Sequence, residues 1–240
     1  MIFCIKKQTV YNCIFFLVLL CTFIFRGSSG ILTEKTSAVA ISGKTIVVDP
    51  GHGTPDGGAV ADDGTLEKDI NLTVSKKLGS LLQQSGANVV YTRENDNAVT
   101  DNLNDKIRNI KLDDLKNRKE IAQKSNADIF ISIHMNKFSD KSYSGAQVFY
   151  QGKSQESKAL AKIIQKNMRE IADNKNRREA KDSKTSIFVL KDMKMPAVLV
   201  ECGFLSNDEE KEKLLTDSYT DKIAYSIYCG IFEYISNNQT

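Results

Sequence analysis

From Lys44 onward, short runs of apolar, mostly β-branched residues alternate with stretches of helical periodicity. This alternation narrows the fold more than any other feature. TIVVDP (45–50), ANVVYTR (87–93), DIFISIHMN (128–136), GAQVFY (145–150), SIFVL (186–190) and PAVLVECG (196–203) read as strands. Several are nearly continuous in apolar residues, as expected of a sheet covered on both faces. Between them, Ile70, Val74, Leu78, Leu81 and Leu82 share one helical face within 67–84, and Leu115, Ile121 and Ala122 share one within 114–125. Ser154 can cap a helix holding Leu160, Ile163, Ile164 and Met168, and Ser206 with Glu209 has capping-box spacing. A last helix over about 219–236 carries Ile223, Tyr225, Ile227, Tyr228, Ile231 and Tyr234. The pattern predicts a single α/β domain over 44–240. Its core is a mostly parallel twisted sheet of about six strands, with helices on both faces. The polar segment 94–112 is expected to be a long loop or to hold an added short helix. Loops of that length are uncommon without a role.

The residues before this domain have a different character. Lys6 and Lys7 precede an apolar run from Cys13 to Phe25, and Gly27, Ser28, Ser29 and Gly30 follow. Residues 1–26 therefore read as a secretory signal peptide or an N-terminal membrane anchor, and 27–43 as a linker. The chain is expected to be exported. Lys6, Lys7 and Arg26 are the only charges in 1–26, and 33 basic residues less these three leaves 30, equal to the 30 acidic residues. The domain is thus formally neutral, which argues against nucleic-acid binding. Of the five cysteines, Cys202 and Cys229 lie in the domain. They could form a disulfide in an exported protein, but two small buried hydrophobes is the favoured reading.

The chain has two histidines. His52 lies in VVDPGHGTPDGGA (47–59), a glycine-rich loop after the first strand, and His134 ends DIFISIH. Glu67 opens the following helix, and Glu201 ends the strand PAVLVE. In doubly wound sheets, ligands bind beyond the carboxyl ends of the strands, so both imidazoles and two carboxylates would meet at one edge. Two imidazoles and a carboxylate form a zinc ligand set that leaves a position for water. A further carboxylate could take that water's proton and hand it to a leaving amine. Bland readings stand beside this one. A lone histidine is usually a surface residue, and a first-turn glutamate is helped by the helix dipole. Glu201 after four apolar residues is less ordinary, because a carboxylate ending a buried strand needs a partner or a purpose. A phosphate cofactor is not expected. The dinucleotide fingerprint would need glycine at Asp56, and the chain has no Gly-Lys-Ser/Thr. No G-x-S-x-G occurs either, and Cys202 would face away from a site that Glu201 faces.

DPGHG (49–53), Glu67 in LEKDI, SIHMN (132–136) and PAVLVECGFLSN (196–207) together resemble the zinc-dependent N-acetylmuramoyl-L-alanine amidases of the amidase 3 family. The similarity spans 44–240, and Arg118 with Asn126-Ala127-Asp128 also fits its pattern. TPDGGA, LEKD, the extended loop after YTRENDN and SGAQVFY look most like its CwlD-type, sporulation and germination-specific branch. The resemblance implies one Zn2+ per chain held by His52, Glu67 and His134, with Glu201 as the catalytic glutamate. It implies hydrolysis of the amide between the lactyl group of N-acetylmuramic acid and L-alanine, on peptidoglycan glycan strands bearing stem peptides. In spore cortex maturation, this removal precedes formation of muramic-δ-lactam. The place would be the forespore intermembrane space or the cortex. With no wall-binding repeats in the chain, targeting could depend on an accessory protein. Alternatives are a zinc peptidase cutting within the stem peptide and a peptidoglycan-binding protein without catalysis. Asn136 is a candidate substrate contact, and Arg93 and Arg169 are candidate substrate or partner contacts. Each could equally be a surface residue. Position 202 is Cys where Thr or Val would be expected in relatives, which suggests packing.

Overall fold

The computed structural model describes residues 40–184 and 186–238. The expected leader and nearly all of the linker lie outside them. Among the described residues, no helix is long and apolar enough to cross a membrane.

The chain runs β1 (Thr45–Pro50), α1 (Glu67–Gln84), β2 (Asn88–Tyr91), α2 (Ile107–Lys124), β3 (Ile129–Asn136), β4 (Gln147–Tyr150), α3 (Gln155–Asn167), β5 (Lys181–Asp182), β6 (Ala197–Phe204), α4 (Asp208–Leu214) and α5 (Asp217–Asn237). One sheet of six strands has the order β2-β1-β3-β6-β4-β5. All neighbours pair in parallel except β4 with β6. The predicted fold class is thus the observed one.

The strands are apolar on both faces because each face is covered. Ile46 and Val48 of β1, Ile129, Ile131 and Ile133 of β3, and Val198, Val200 and Cys202 of β6 pack with α1, α3 and α5. The alternate residues Val47, Phe130, Ala197 and Leu199 pack with Ala122 of α2 and with Val189, Leu190, Met193 and Met195. This is the period-two alternation of a strand read onto two separate cores. The chain steps from β1 outward to β2 and then returns to β3 on the other side of β1. The connecting helices α1 and α2 cover opposite faces. A crevice therefore opens beyond the carboxyl ends of β1 and β3. His52 follows the first of these strands, and His134 lies two residues before the end of the second.

Three local expectations need correction. SIFVL is not a strand: Phe188–Leu190 is a single 3-10 turn. Its Val189 and Leu190 press flat onto the sheet face, and Lys181–Asp182 takes the edge beside β4 instead. A five-residue apolar run carries no periodicity that separates these cases. Helix α2 begins at Ile107, inside the expected loop, and buries Ile110. Its inward row Ile110, Asp114, Arg118 and Ala122 is half charged, so hydrophobic periodicity alone finds only part of it. The cap of α4 is Asn207, which accepts from the Glu210 amide at 3.0 Å, one residue past the predicted Ser206. Asn caps as well as Ser, and Ser206 instead accepts from the Phe138 amide at 3.1 Å. The predicted Ser154 cap is present, accepting from the Ser157 amide at 3.0 Å.

Cys202 is buried and Cys229 half-buried, both as free thiols. Burial pushes the Cys202 thiol well above its ordinary value. It packs in the core on the face opposite Glu201, as expected.

Candidate metal centre and active site

The sheet face that packs against α2 is apolar near the start of the strands and polar near their ends. Asp49 of β1 pairs with Ser132 of β3, and two residues on His134 pairs with Glu201 of β6. Residues directly opposite on neighbouring strands share a face. The transition from core to site therefore occurs along single strands.

Asp49 anchors this transition. It is fully buried and accepts from Thr92 Oγ1 at 2.5 Å, Ser132 Oγ at 2.6 Å and Arg118 Nη1 at 2.7 Å. Arg118, 1% exposed, also donates to the Asp114 carboxylate at 2.7 Å and to the carbonyls of Pro50 and His52. Arg93 donates to the carbonyls of Pro50 and Gly51 at 2.9 Å each and of Lys68 at 2.8 Å. Two buried guanidiniums thus hold three successive carbonyls of the His52 loop. His52 itself has φ of 62°, a conformation that costs a side-chain-bearing residue about 1–3 kcal/mol unless its surroundings impose it. The reading of Arg93 as a substrate contact is corrected: it is 5% exposed and spends its donors on backbone. Arg169 is half-buried and pairs with Glu179.

Arg118→Met is expected to lower folding stability by about 3–5 kcal/mol, because it strands buried carboxylates rather than merely deleting a contact. Urea unfolding followed by circular dichroism measures it. Burial opposes ionisation of Asp49, but Arg118 and the two hydroxyls more than offset this and hold its carboxyl below the ordinary aspartate value. That part of the stability is present above the unfolded aspartate pKa, about 3.9. It is lost as pH falls through the lower folded value.

The cluster of His52, Glu67 and His134 comes together as predicted, with one ligand atom of each within 4.8 Å of the others. Glu67 is 3% exposed and sits in the first turn of α1. Its Oε2 lies 3.2 Å from His52 Nε2 and accepts from the Ala59 amide at 2.7 Å. Its Oε1 lies 2.8 Å from His134 Nδ1 and accepts from the Met135 amide at 3.0 Å. Close approach requires glycine at two points. A Cβ on Gly51 would stand 2.3 Å from the His134 ring, and one on Gly58, whose φ is +71°, 2.5 Å from Glu67 Oε2.

Asp56 is a site residue that the sequence reading passed over. Its Oδ2 lies 2.8 Å from His52 Nδ1, while Oδ1 accepts from Lys111 Nζ at 2.8 Å and the Gly58 amide at 3.1 Å. A signal was present, since Asp56 stands four residues after His52 in a loop that turns back on itself. Burial lowers the His52 pKa, but the Asp56 and Glu67 carboxylates outweigh it and raise the imidazole to about 9. Asp56 and Glu67 are both held below the ordinary carboxylate range by these partners, against burial. An Nδ1–H donated to Asp56 leaves the His52 Nε2 lone pair facing Glu67 and His134, the usual orientation of a metal-binding histidine. A cation held by that nitrogen would take the proton's place.

Glu201 stands beside His134 in the register, and its Oε2 is buried without a hydrogen-bond partner. Burial, with the Glu67 charge adding to it and both imidazoles opposing, pushes its carboxyl up to about 7. Asn136 lies half-buried just past His134, where the β3–β6 register shifts. The arrangement can hold a cation between three donors. Beside it stands a carboxyl group that gains or loses a proton near neutral pH.

Residues 46–233 match the Amidase_3 family, described as N-acetylmuramoyl-L-alanine amidase. The chain is 38% identical over 221 residues to the germination-specific N-acetylmuramoyl-L-alanine amidase of Bacillus subtilis, covering 92% of each. Its fold is similar to that of the CwlD amidase from Clostridioides difficile, solved in complex with the GerS lipoprotein. The two are 45% identical, the TM-score is 0.79, and the match covers 81% of this chain and all of that one. An N-acetylmuramoyl-L-alanine amidase from Clostridium difficile 630 follows at 31% identity and a TM-score of 0.71, over 82% of this chain and 99% of that one. Fold, clustered residues and matches together place this chain in the Amidase_3 family, as an N-acetylmuramoyl-L-alanine amidase.

Proposed function

We propose that this chain is a zinc amidase of the spore cortex in which His52, Glu67 and His134 hold the metal and Glu201 carries the proton. The observation that carries the reading is the unpartnered Glu201 Oε2, buried beside the His-Glu-His cluster. The donor set fits zinc in type and number: two imidazoles, one carboxylate and room for water. Bound there, zinc would polarise the lactyl carbonyl and bring a water molecule's pKa down to about 7. Glu201 takes the proton from the attacking water and gives it to the L-alanine nitrogen as the amide breaks. The products are a free lactyl carboxylate and a stem peptide with a free L-alanine amine. Asp56 holds His52 in the tautomer that presents Nε2, and Asn136, at the end of β3, is the proposed substrate contact.

The signal-like residues 1–26 support export, to the forespore intermembrane space or cortex. The relation to a CwlD amidase solved with a lipoprotein supports an accessory protein for this chain.

The test uses the purified chain with one equivalent of zinc and muropeptides bearing stem peptides, followed by mass spectrometry. Intact stem peptides with a free L-alanine amine are expected. Chelation should abolish their release, and added zinc should restore it. Peptides shortened at an internal bond would overturn the reading in favour of a peptidase.

A further inference from the structure

Beyond Glu201, on the side away from the imidazoles, the sheet face carries another polar residue. Gln147 of β4 stands opposite Glu201 in the antiparallel pair, as His134 does in the parallel one. His134, Glu201 and Gln147 therefore leave the same face in one row. The Gln147 side chain is fixed at both ends: Nε2 donates to the Glu179 carbonyl at 3.0 Å, and Oε1 accepts from Arg178 Nη1 at 3.2 Å. Arg178 also donates through Nε to the Ser144 carbonyl at 2.7 Å. Its guanidinium lies over the Phe204 ring at 4.7 Å and the Tyr143 ring at 5.6 Å. Four neighbours thus hold a half-buried cation, while these two hydrogen bonds use two of its five N–H donors.

We propose that Arg178 reads a carboxylate of the stem peptide: the free α-carboxylate of the γ-linked glutamyl residue after L-alanine. The inference rests on the amidase reading of Glu201. The scissile amide must lie against Glu201, and two extended residues reach at most about 7 Å beyond it. Side chains opposite each other on neighbouring strands start about 5 Å apart. A hydrogen bond from the Gln147 tip then sets the guanidinium about 8 Å from Glu201, a span the carboxylate closes with its own hydrogen bond of about 3 Å. The fork of Arg178 suits a planar carboxylate better than a point charge would. The two rings keep water from one side of it and strengthen the pairing. Gln147 orients the guanidinium without touching substrate.

The experiment compares two muropeptides that differ only at this group, one with the α-carboxylate and one with the α-carboxamide, on the zinc-loaded full chain. The unaltered protein is expected to favour the acid at least tenfold in kcat/KM, chiefly through KM. Arg178→Gln should bring the acid down to about the amide's level while costing the amide far less, and Arg178→Lys should fall between. Equal turnover of both substrates by the unaltered protein overturns the proposal. So does an equal loss on both in Arg178→Gln, the mark of a merely structural role. Failure of the unaltered protein to cleave either substrate removes the amidase reading itself, and the proposal with it. Circular dichroism of both variants separates misfolding from lost recognition.

Discussion

Glu201→Gln is expected to lower kcat about 10²–10⁴-fold, the usual worth of a positioned proton carrier, while the protein keeps its full complement of zinc. Glutamine matches the shape of glutamic acid but cannot take a proton from water. The substitution should isolate that role cleanly, because Glu201 supports little else. Its Oε2 has no hydrogen-bond partner, and the ligand cluster His52, Glu67 and His134 forms without it. A carboxyl pushed to about 7 by burial is held at a cost, which a neutral amide avoids. Thermal stability should therefore be unchanged or slightly raised. Single-turnover release of stem peptide, read beside zinc content by elemental mass spectrometry, checks both halves. Turnover within threefold of the unaltered protein would take Glu201 out of the mechanism. Zinc lost together with activity would make it a ligand or a structural residue instead.

Much of this site is legible in the sequence because a parallel sheet turns linear order into position. A residue that ends an apolar strand must emerge at the carboxyl edge, so His134 and Glu201 can be placed together without any contact being known. His52 and Glu67 follow from the loop and helix after β1. What is not legible depends on contacts that strand ends do not encode. Asp56 meets His52 only because the loop reverses through Gly53 and Gly58, both with positive φ. Arg93 looks like a surface cation in sequence. Its burial arises because the His52 loop turns carbonyls inward, and these need donors. Helix α2 carries Asp114 and Arg118 on its inward row, a pair that hydrophobic periodicity reads as solvent-facing. Arg178 lies in an irregular segment whose place beside Gln147 is set by the short strand β5, two residues long.

Glu67→Gln tests the centre from its most buried member, and both metal binding and fold should register the change. The glutamate oxygens accept from two backbone amides on different elements, Ala59 in the His52 loop and Met135 in β3, and each also faces an imidazole. An amide offers only one such oxygen. Its NH2 group must point at a buried N–H, leaving that donor unsatisfied at a cost of about 1–3 kcal/mol. The same change removes the only negative charge in the ligand set, so a divalent cation loses both a donor atom and its charge partner. Zinc affinity should fall by at least about 100-fold, beyond the range usual for loss of a supporting residue. Amidase activity should fall with it at micromolar zinc. Competition with a chromophoric chelator measures the affinity, and urea unfolding without zinc measures the stability separately. If Glu67 were only a first-turn residue favoured by the helix dipole, the loss would be about 0.3–1 kcal/mol and zinc binding would be untouched. The two accounts differ in which measurement moves, so one variant decides between them. Loss of affinity together with a modest loss of stability is the outcome that the paired amides and imidazoles require.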